Sequence, residues 1–161
     1  MITFETRIHT VPGPMQVVEI PADVAEAWLP ANGKRCLYKL FDGESYHGGF
    51  MHNGLGGYQL IIGRQARNAA GVSAGSAVTI TLSPDTSRYG CEMPDELAEV
   101  LATDSKANDI FHALTPGRQR SLIYLVTAVK STDKRIDRSL KIAEALHIGL
   151  TDPRKIVPSN P

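Results

Sequence analysis

Residues 46–58 read YHGGFMHNGLGGY and set two imidazoles, His47 and His52, among five glycines. An imidazole can ligate a metal or carry a proton near neutral pH. In a strand, however, residues five apart face opposite sides, and no third ligand stands nearby, so no metal site is read here. Glycines at this density serve turns and close backbone approaches. Their N–H groups could also meet an anion, but neither a phosphate-binding loop nor a dinucleotide fingerprint is present.

A second chemical signal is the pair Arg64 and Arg67, three apart in RQARNAA and therefore on one side of a short helix. With Arg35 or His52 they would suit a phosphate or carboxylate at the mouth of a barrel. A solvated helix face gives the same pattern. The third signal is a charge split. Residues 92–109 hold six acids against Lys106, whereas residues 118–141 hold seven bases against Asp133 and Asp137. Lys134, Arg138 and Lys141 fall at i, i+4 and i+7, a single helix face. Such a face can contact phosphates without reading sequence, or pair with the acidic helices within the chain or across a dimer, or meet an acidic partner protein. The formal net charge of zero favours pairing over nucleic acid.

Catalytic constellations are poor. No G-x-S-x-G elbow appears, His112 beside Phe111 reads as a half-buried helix residue, and Asp95 with Glu99 reads as helix surface. No nucleophile has a base beside it. Cys36 and Cys91 are too few for a disulfide framework and match no metal spacing. No catalytic residue, metal or cofactor is therefore assigned.

The elements that must position these groups follow from periodicity. Ile2, Phe4, Thr6 and Ile8 alternate as in a half-buried strand. MQVVEI is a second strand, Pro21 opens the helix ADVAEAWL, KRCLYKLF is a strand, and Asp42-Gly43 turns the chain into ESYHGGFM. GYQLII, the helix RQARNAA stopped by Gly71, and AVTITL complete the set. Residues 17–40 (VVEIPADVAEAWLPANGKRCLYKL) and 59–82 (QLIIGRQARNAAGVSAGSAVTITL) align without gaps, with Ile20 on Ile62, Ala27 on Ala69, Gly33 on Gly75 and Leu40 on Leu82. Each block is strand, short helix, glycine turn, strand. Two units that cannot bury their own apolar faces would close on each other and remove their sheet edges. The expectation is an α+β protein: a small closed β-barrel with an internal strand–helix–strand duplication over residues 1–91, then a bundle of short helices over 92–150, then a loose tail over 151–161.

In the helical part, Pro94 with Asp95 and Glu96 starts a first helix. Asp104 caps a second, Thr115-Pro116 starts a third and Thr132 caps a fourth that ends at Gly149. Leu122, Leu125, Val126 and Val129 are the expected apolar stripe of the third, and Ile136, Leu140 and Ala143 of the fourth.

Two resemblances rest on these residues. The opening at Pro94–Leu97, the F-x-x-L-T-P step of Phe111–Pro116 and the run Lys130–Arg138 resemble the YdeI/OmpD-associated, or bacteriocin-protection, family. The barrel resembles Domain of unknown function 1905, and RQARNAAGVSAGSAVTITL is similar to the swapped-hairpin barrel of AbrB-type transition-state regulators. Neither of the first two families implies a defined activity. The protection phenotype is not carried over, because the N-terminus lacks the basic start and apolar run of an export signal and no stretch approaches a membrane span. The expectation is a cytoplasmic bacterial-type protein with no membrane partner. It is read as a non-enzymatic binding or interaction protein for a small anionic ligand or a protein. A nucleic-acid-associated regulator is the alternative, and an enzyme acting on a small anionic ligand the second alternative.

Overall fold

The computed structural model describes residues 1–157. The chain forms two compact units, Met1–Thr86 and the residues from Ser87 on. The first contains β1 (Ile2–Arg7), β2 (His9–Thr10), β3 (Gln16–Ile20), α1 (Ala22–Asn32), β4 (Arg35–Leu40), β5 (Ser45–His52), β6 (Tyr58–Ile61), α2 (Arg64–Ala70) and β7 (Ala77–Ser83). The strands form one antiparallel sheet in the order β1-β7-β4-β5-β6-β3-β2. β1 and β2 are consecutive pieces of one run, and their pairing with β7 and β3 brings both ends of the order together. The result is a nearly closed seven-stranded barrel.

The duplication is present and extends further than the sequence blocks. Val18 pairs with Leu60 across β3–β6, and Lys39 with Thr81 across β4–β7. In each case a residue faces its own equivalent, which is what a local two-fold axis requires. The remaining registers obey the same rule: Lys39↔Ser45 on β4–β5 corresponds to Thr81↔Thr3 on β7–β1, and His52↔Tyr58 on β5–β6 to Thr10↔Gln16 on β2–β3. The repeat therefore covers residues 2–40 and 44–82, with β5 the counterpart of β1 and β2 joined. Equivalent positions are buried in both halves, among them Ile8 and Phe50, Val18 and Leu60, Cys36 and Val78, Tyr38 and Ile80, and Leu40 and Leu82. Burial drives the alternation of each strand.

The barrel interior is filled by side chains. Trp28, from α1, stacks on Phe50 with ring centroids 6.1 Å apart, and the backbone N–H of Gly63 donates to the Tyr38 hydroxyl at 2.9 Å. Burial pushes the Tyr38 hydroxyl up in pKa and the Cys36 thiol up to about 12, against the pull of Arg35. A thiol held protonated is a core residue and not a nucleophile. Helix α1 runs through Pro30 to Asn32 and stops at Gly33, whose φ of 65° suits a residue without Cβ.

The second unit contains α3 (Asp95–Thr103), α4 (Ser105–Ala113), α5 (Pro116–Thr127), α6 (Thr132–His147) and a single turn, α7 (Pro153–Ile156). This turn lies in the segment expected to be a loose tail; the rest of that segment, residues 158–161, lies outside the described residues. Asp104 and Thr115 cap α4 and α5 as expected, whereas α6 is capped by Ser131, one residue before Thr132. The Asp104 carboxyl is held below the usual range by the Ala107 N–H it accepts and by His147, 2.7 Å away.

Two apolar stripes differ from expectation. On α5, Leu122, Ile123 and Val126 are buried and Leu125 only half-buried. On α6 the buried face is Ser139, Ile142, Ala143 and Leu146, while Ile136 and Leu140 are 42% and 50% exposed. The reason is Ser139. Its hydroxyl donates to the Arg135 carbonyl one turn back, so a small polar residue enters the core with its hydrogen bond satisfied. That rotates the packed face away from Ile136 and Leu140. Leu140→Ala and Ile136→Ala are accordingly expected to shift the urea midpoint by no more than about 0.5 kcal/mol equivalent each. A loss of core size at either position would restore the original stripe.

Candidate functional site

The polar cluster with the most built geometry lies on the outer face of the barrel. Alternation along β4 turns Cys36, Tyr38 and Leu40 inward and leaves Arg35 on the other face; along β5 the same alternation carries His47 outward while Phe50 is buried. Beyond β7 the chain places Asp85 between them. Its carboxylate side chain is 1% exposed, whereas those of Arg35 and His47 are 33% and 30% exposed. Asp85 Oδ2 lies 2.9 Å from His47 Nδ1 and 3.8 Å from Arg35 Nη2.

A carboxylate only accepts hydrogen bonds, so His47 Nδ1 carries the proton and donates. The ring is thus fixed in orientation and tautomer, with Nε2 as its second polar atom. The glycines after His47 have separate tasks. A Cβ at Gly48 would come within 2.9 Å of the Tyr38 ring and 2.8 Å of Leu60, so this inward position admits only hydrogen. A Cβ at Gly49 would lie 3.1 Å from Arg35 Nη1, so its absence lets the guanidinium cross the neighbouring strand. Gly48 and Gly49 thus leave room for Tyr38, Leu60 and Arg35, while Gly54 and Gly56 take positive φ between β5 and β6.

Of the four residues proposed from sequence as a ligand site, Arg35 belongs to this cluster and the others have separate settings. The His52 ring lies against Tyr58, 4.6 Å between centroids, with Lys34 Nζ 3.3 Å from its Nε2. Arg67 donates through Nε to the Ile62 carbonyl. Arg64 is exposed at the start of α2. Asp85 had no sequence signal: it sits in a Ser-Pro-Asp-Thr connection, 38 residues from His47, and only the closed barrel joins them. His47 was visible as an imidazole but was weighed as a metal ligand. Among the described residues no three His, Cys, Asp or Glu side chains converge on a common point.

The basic face of α6 is partly engaged in its own unit. Arg138 donates to the Leu125 carbonyl at 2.6 Å, and Lys141 pairs with Asp137 at 2.8 Å. Lys134 is exposed, and its backbone N–H is capped by Ser131. His112 is held at both ring nitrogens, by the Asn108 carbonyl at 2.9 Å and the Tyr89 hydroxyl at 2.8 Å. The carbonyl only accepts, so Nδ1 is protonated and the ring is a structural link between α4 and the segment before α3.

Residues 4–82 match the family described as Domain of unknown function 1905, and residues 91–149 match bacteriocin-protection, YdeI or OmpD-associated. Both resemblances read from the sequence hold over these stretches, one on each compact unit. No curated protein matches the chain. Neither family description names a reaction or a ligand. Among the described residues no helix is long and apolar enough to cross a membrane.

Proposed function

We propose that the chain is a non-enzymatic cytoplasmic binding protein whose barrel captures a small anion, a carboxylate or phosphate, between Arg35 and His47, with the helical unit offering a surface to a protein partner. One observation carries this reading: a buried carboxylate, Asp85, holds two cation-forming side chains that each remain about one-third exposed. Asp85 fixes their positions before any ligand arrives, which lowers the ordering cost of binding. Arg35 supplies a permanent charge and a planar fork of donors suited to carboxylate or phosphate. His47 adds an Nε2–H donor and a charge when protonated.

Titration with inorganic phosphate and with acetate, followed through the His47 ring signals by NMR, tests the reading. Saturable shifts of the His47 ring are expected with both anions. Arg35→Met should weaken binding roughly tenfold, the loss of one charge-assisted hydrogen bond. Shifts that do not saturate, or that persist unchanged in Arg35→Met, would remove the proposal.

An enzyme acting on the same small anion is a second reading, favoured by the fixed tautomer, because neutral His47 would present Nε2 as a proton acceptor. A nucleic-acid-associated regulator, suggested by the likeness to AbrB-type barrels and the basic helix, has less support. Arg138 and Lys141 already have partners within α5 and α6, and each phosphate contact needs a cation released from them.

A further inference from the structure

The two-fold repeat allows each surface of the barrel unit to be compared with its own counterpart. Along α1, one groove of about 410 Å³ is bordered by Ala22, Ala25, Glu26 and Leu29, and on the opposite wall by Gly57 and Tyr58. The equivalent residues in the other half are Arg64, Arg67, Asn68, Gly71, Met15 and Gln16. Where one half has alanines and a carboxylate, the other has two arginines and an amide. Where one has glycine, the other has methionine. The groove is thus lined by a carboxylate where its counterpart positions carry two arginines.

We infer that this groove binds a small amphipathic cation: an ammonium carried on an aromatic or branched apolar body. The volume falls within the range of small-molecule sites. Ala22, Ala25, Leu29 and the Tyr58 ring form the apolar walls. Tyr58 is a firm wall, since its ring is packed by Phe50 at 6.1 Å and His52 at 4.6 Å between centroids. Glu26 is exposed at the groove and, among the described residues, has no ion-pair partner. Asp23 stands three residues before it on the same side of the helix, and α1 contains no base. The Lys34 ammonium lies 3.3 Å from His52 Nε2 and keeps its charge. An ammonium in the groove would therefore meet the Glu26 carboxylate, while its apolar body displaces water from the alanine floor. An anionic ligand would instead face the Glu26 carboxylate. This site is separate from Arg35 and His47 and does not rest on the anion-binding reading.

The probes are 2-phenylethylammonium, its neutral analogue 2-phenylethanol and the anion 3-phenylpropanoate, titrated into the full chain at neutral pH with the methyl groups of Ala25 and Leu29 and the Tyr58 ring followed by NMR. The ammonium should give saturable shifts at those three residues, bind about threefold to fivefold more tightly than the alcohol, as an exposed ion pair allows, and bind more tightly still than the carboxylate. Glu26→Gln should erase the preference for the ammonium over the alcohol. Ala22→Trp, at an exposed position, should abolish binding of both by filling the groove. Equal affinity for ammonium and alcohol in the unmodified protein would overturn the inference. So would non-saturating shifts, shifts centred away from these residues, or undiminished binding to Ala22→Trp.

Discussion

Trp28→Ala is expected to cost the barrel about 3–5 kcal/mol, the range for removing a fully buried large aromatic side chain. Trp28 is 1% exposed and carries the contact between α1 and Phe50. The equivalent position in the other half is Ala70, so no second tryptophan shares the load. The indole Nε1 is buried without a hydrogen-bond partner among the described residues. Trp28→Phe should therefore be much milder, since it keeps most of the apolar contact and removes an unsatisfied donor. Because the chain has two compact units, a single unfolding curve does not separate them. The thiols do. Cys36 is buried in the barrel and Cys91 in the helical unit, so thiol labelling in increasing urea reports each unit. Trp28→Ala should bring Cys36 labelling to lower urea and leave Cys91 unmoved. Equal movement of both thiols, or a cost below about 1 kcal/mol, would show that Trp28 does not hold the barrel.

The barrel was legible in the sequence because two independent signals coincide. Alternation marks each strand, and a gapless alignment marks the repeat. The structure adds that Val18 faces Leu60 and Lys39 faces Thr81, a register that no single strand declares. The same logic failed on α6. Ile136, Leu140 and Ala143 share one side of that helix, yet the buried face is Ser139, Ile142, Ala143 and Leu146, and the Ser139 hydroxyl is satisfied inside its own helix. Apolar periodicity cannot see a polar residue that carries its partner with it. Leu125 is likewise only half-buried, and its backbone carbonyl accepts from Arg138.

The candidate sites were less legible than the fold because symmetry is read from what two halves share. The cluster around Asp85 lies where they differ. His47 occupies the place of Glu5, and Arg35 that of Ala77. Asp85 lies beyond the second copy altogether. Arg35 and Arg7 even exchange roles with their small partners: Arg35 faces Gly49, and Arg7 faces Ala77. Arg7 spends its guanidinium on the Gly75 carbonyl, whereas Arg35 turns to a carboxylate. A duplicated scaffold supplies a rigid frame, and binding chemistry enters through departures from the repeat.

Asp85→Ala is expected to lower barrel stability by roughly 2–3 kcal/mol, because it removes a buried carboxylate that accepts from His47 Nδ1 at 2.9 Å and pairs with Arg35 at 3.8 Å. The loss stays below that of a fully buried ion pair, since Arg35 and His47 keep one-third of their side-chain surface and can turn to water. Asp85→Asn retains an acceptor for His47 Nδ1 but surrenders the charge, so its cost should be intermediate. A double-mutant cycle with His47→Ala isolates the pair. At 2.9 Å, with one partner buried, the coupling should be about 1–2 kcal/mol, whereas an exposed pair rarely exceeds about 1 kcal/mol. The same variants separate structure from binding. Asp85→Asn should remain folded and yet lose affinity for phosphate, because the amide can orient His47 through either of two flips and no longer fixes Arg35. Additive single and double variants, or full phosphate affinity in Asp85→Asn, would mean that Asp85 closes the end of β7 without organising the two cations beside it.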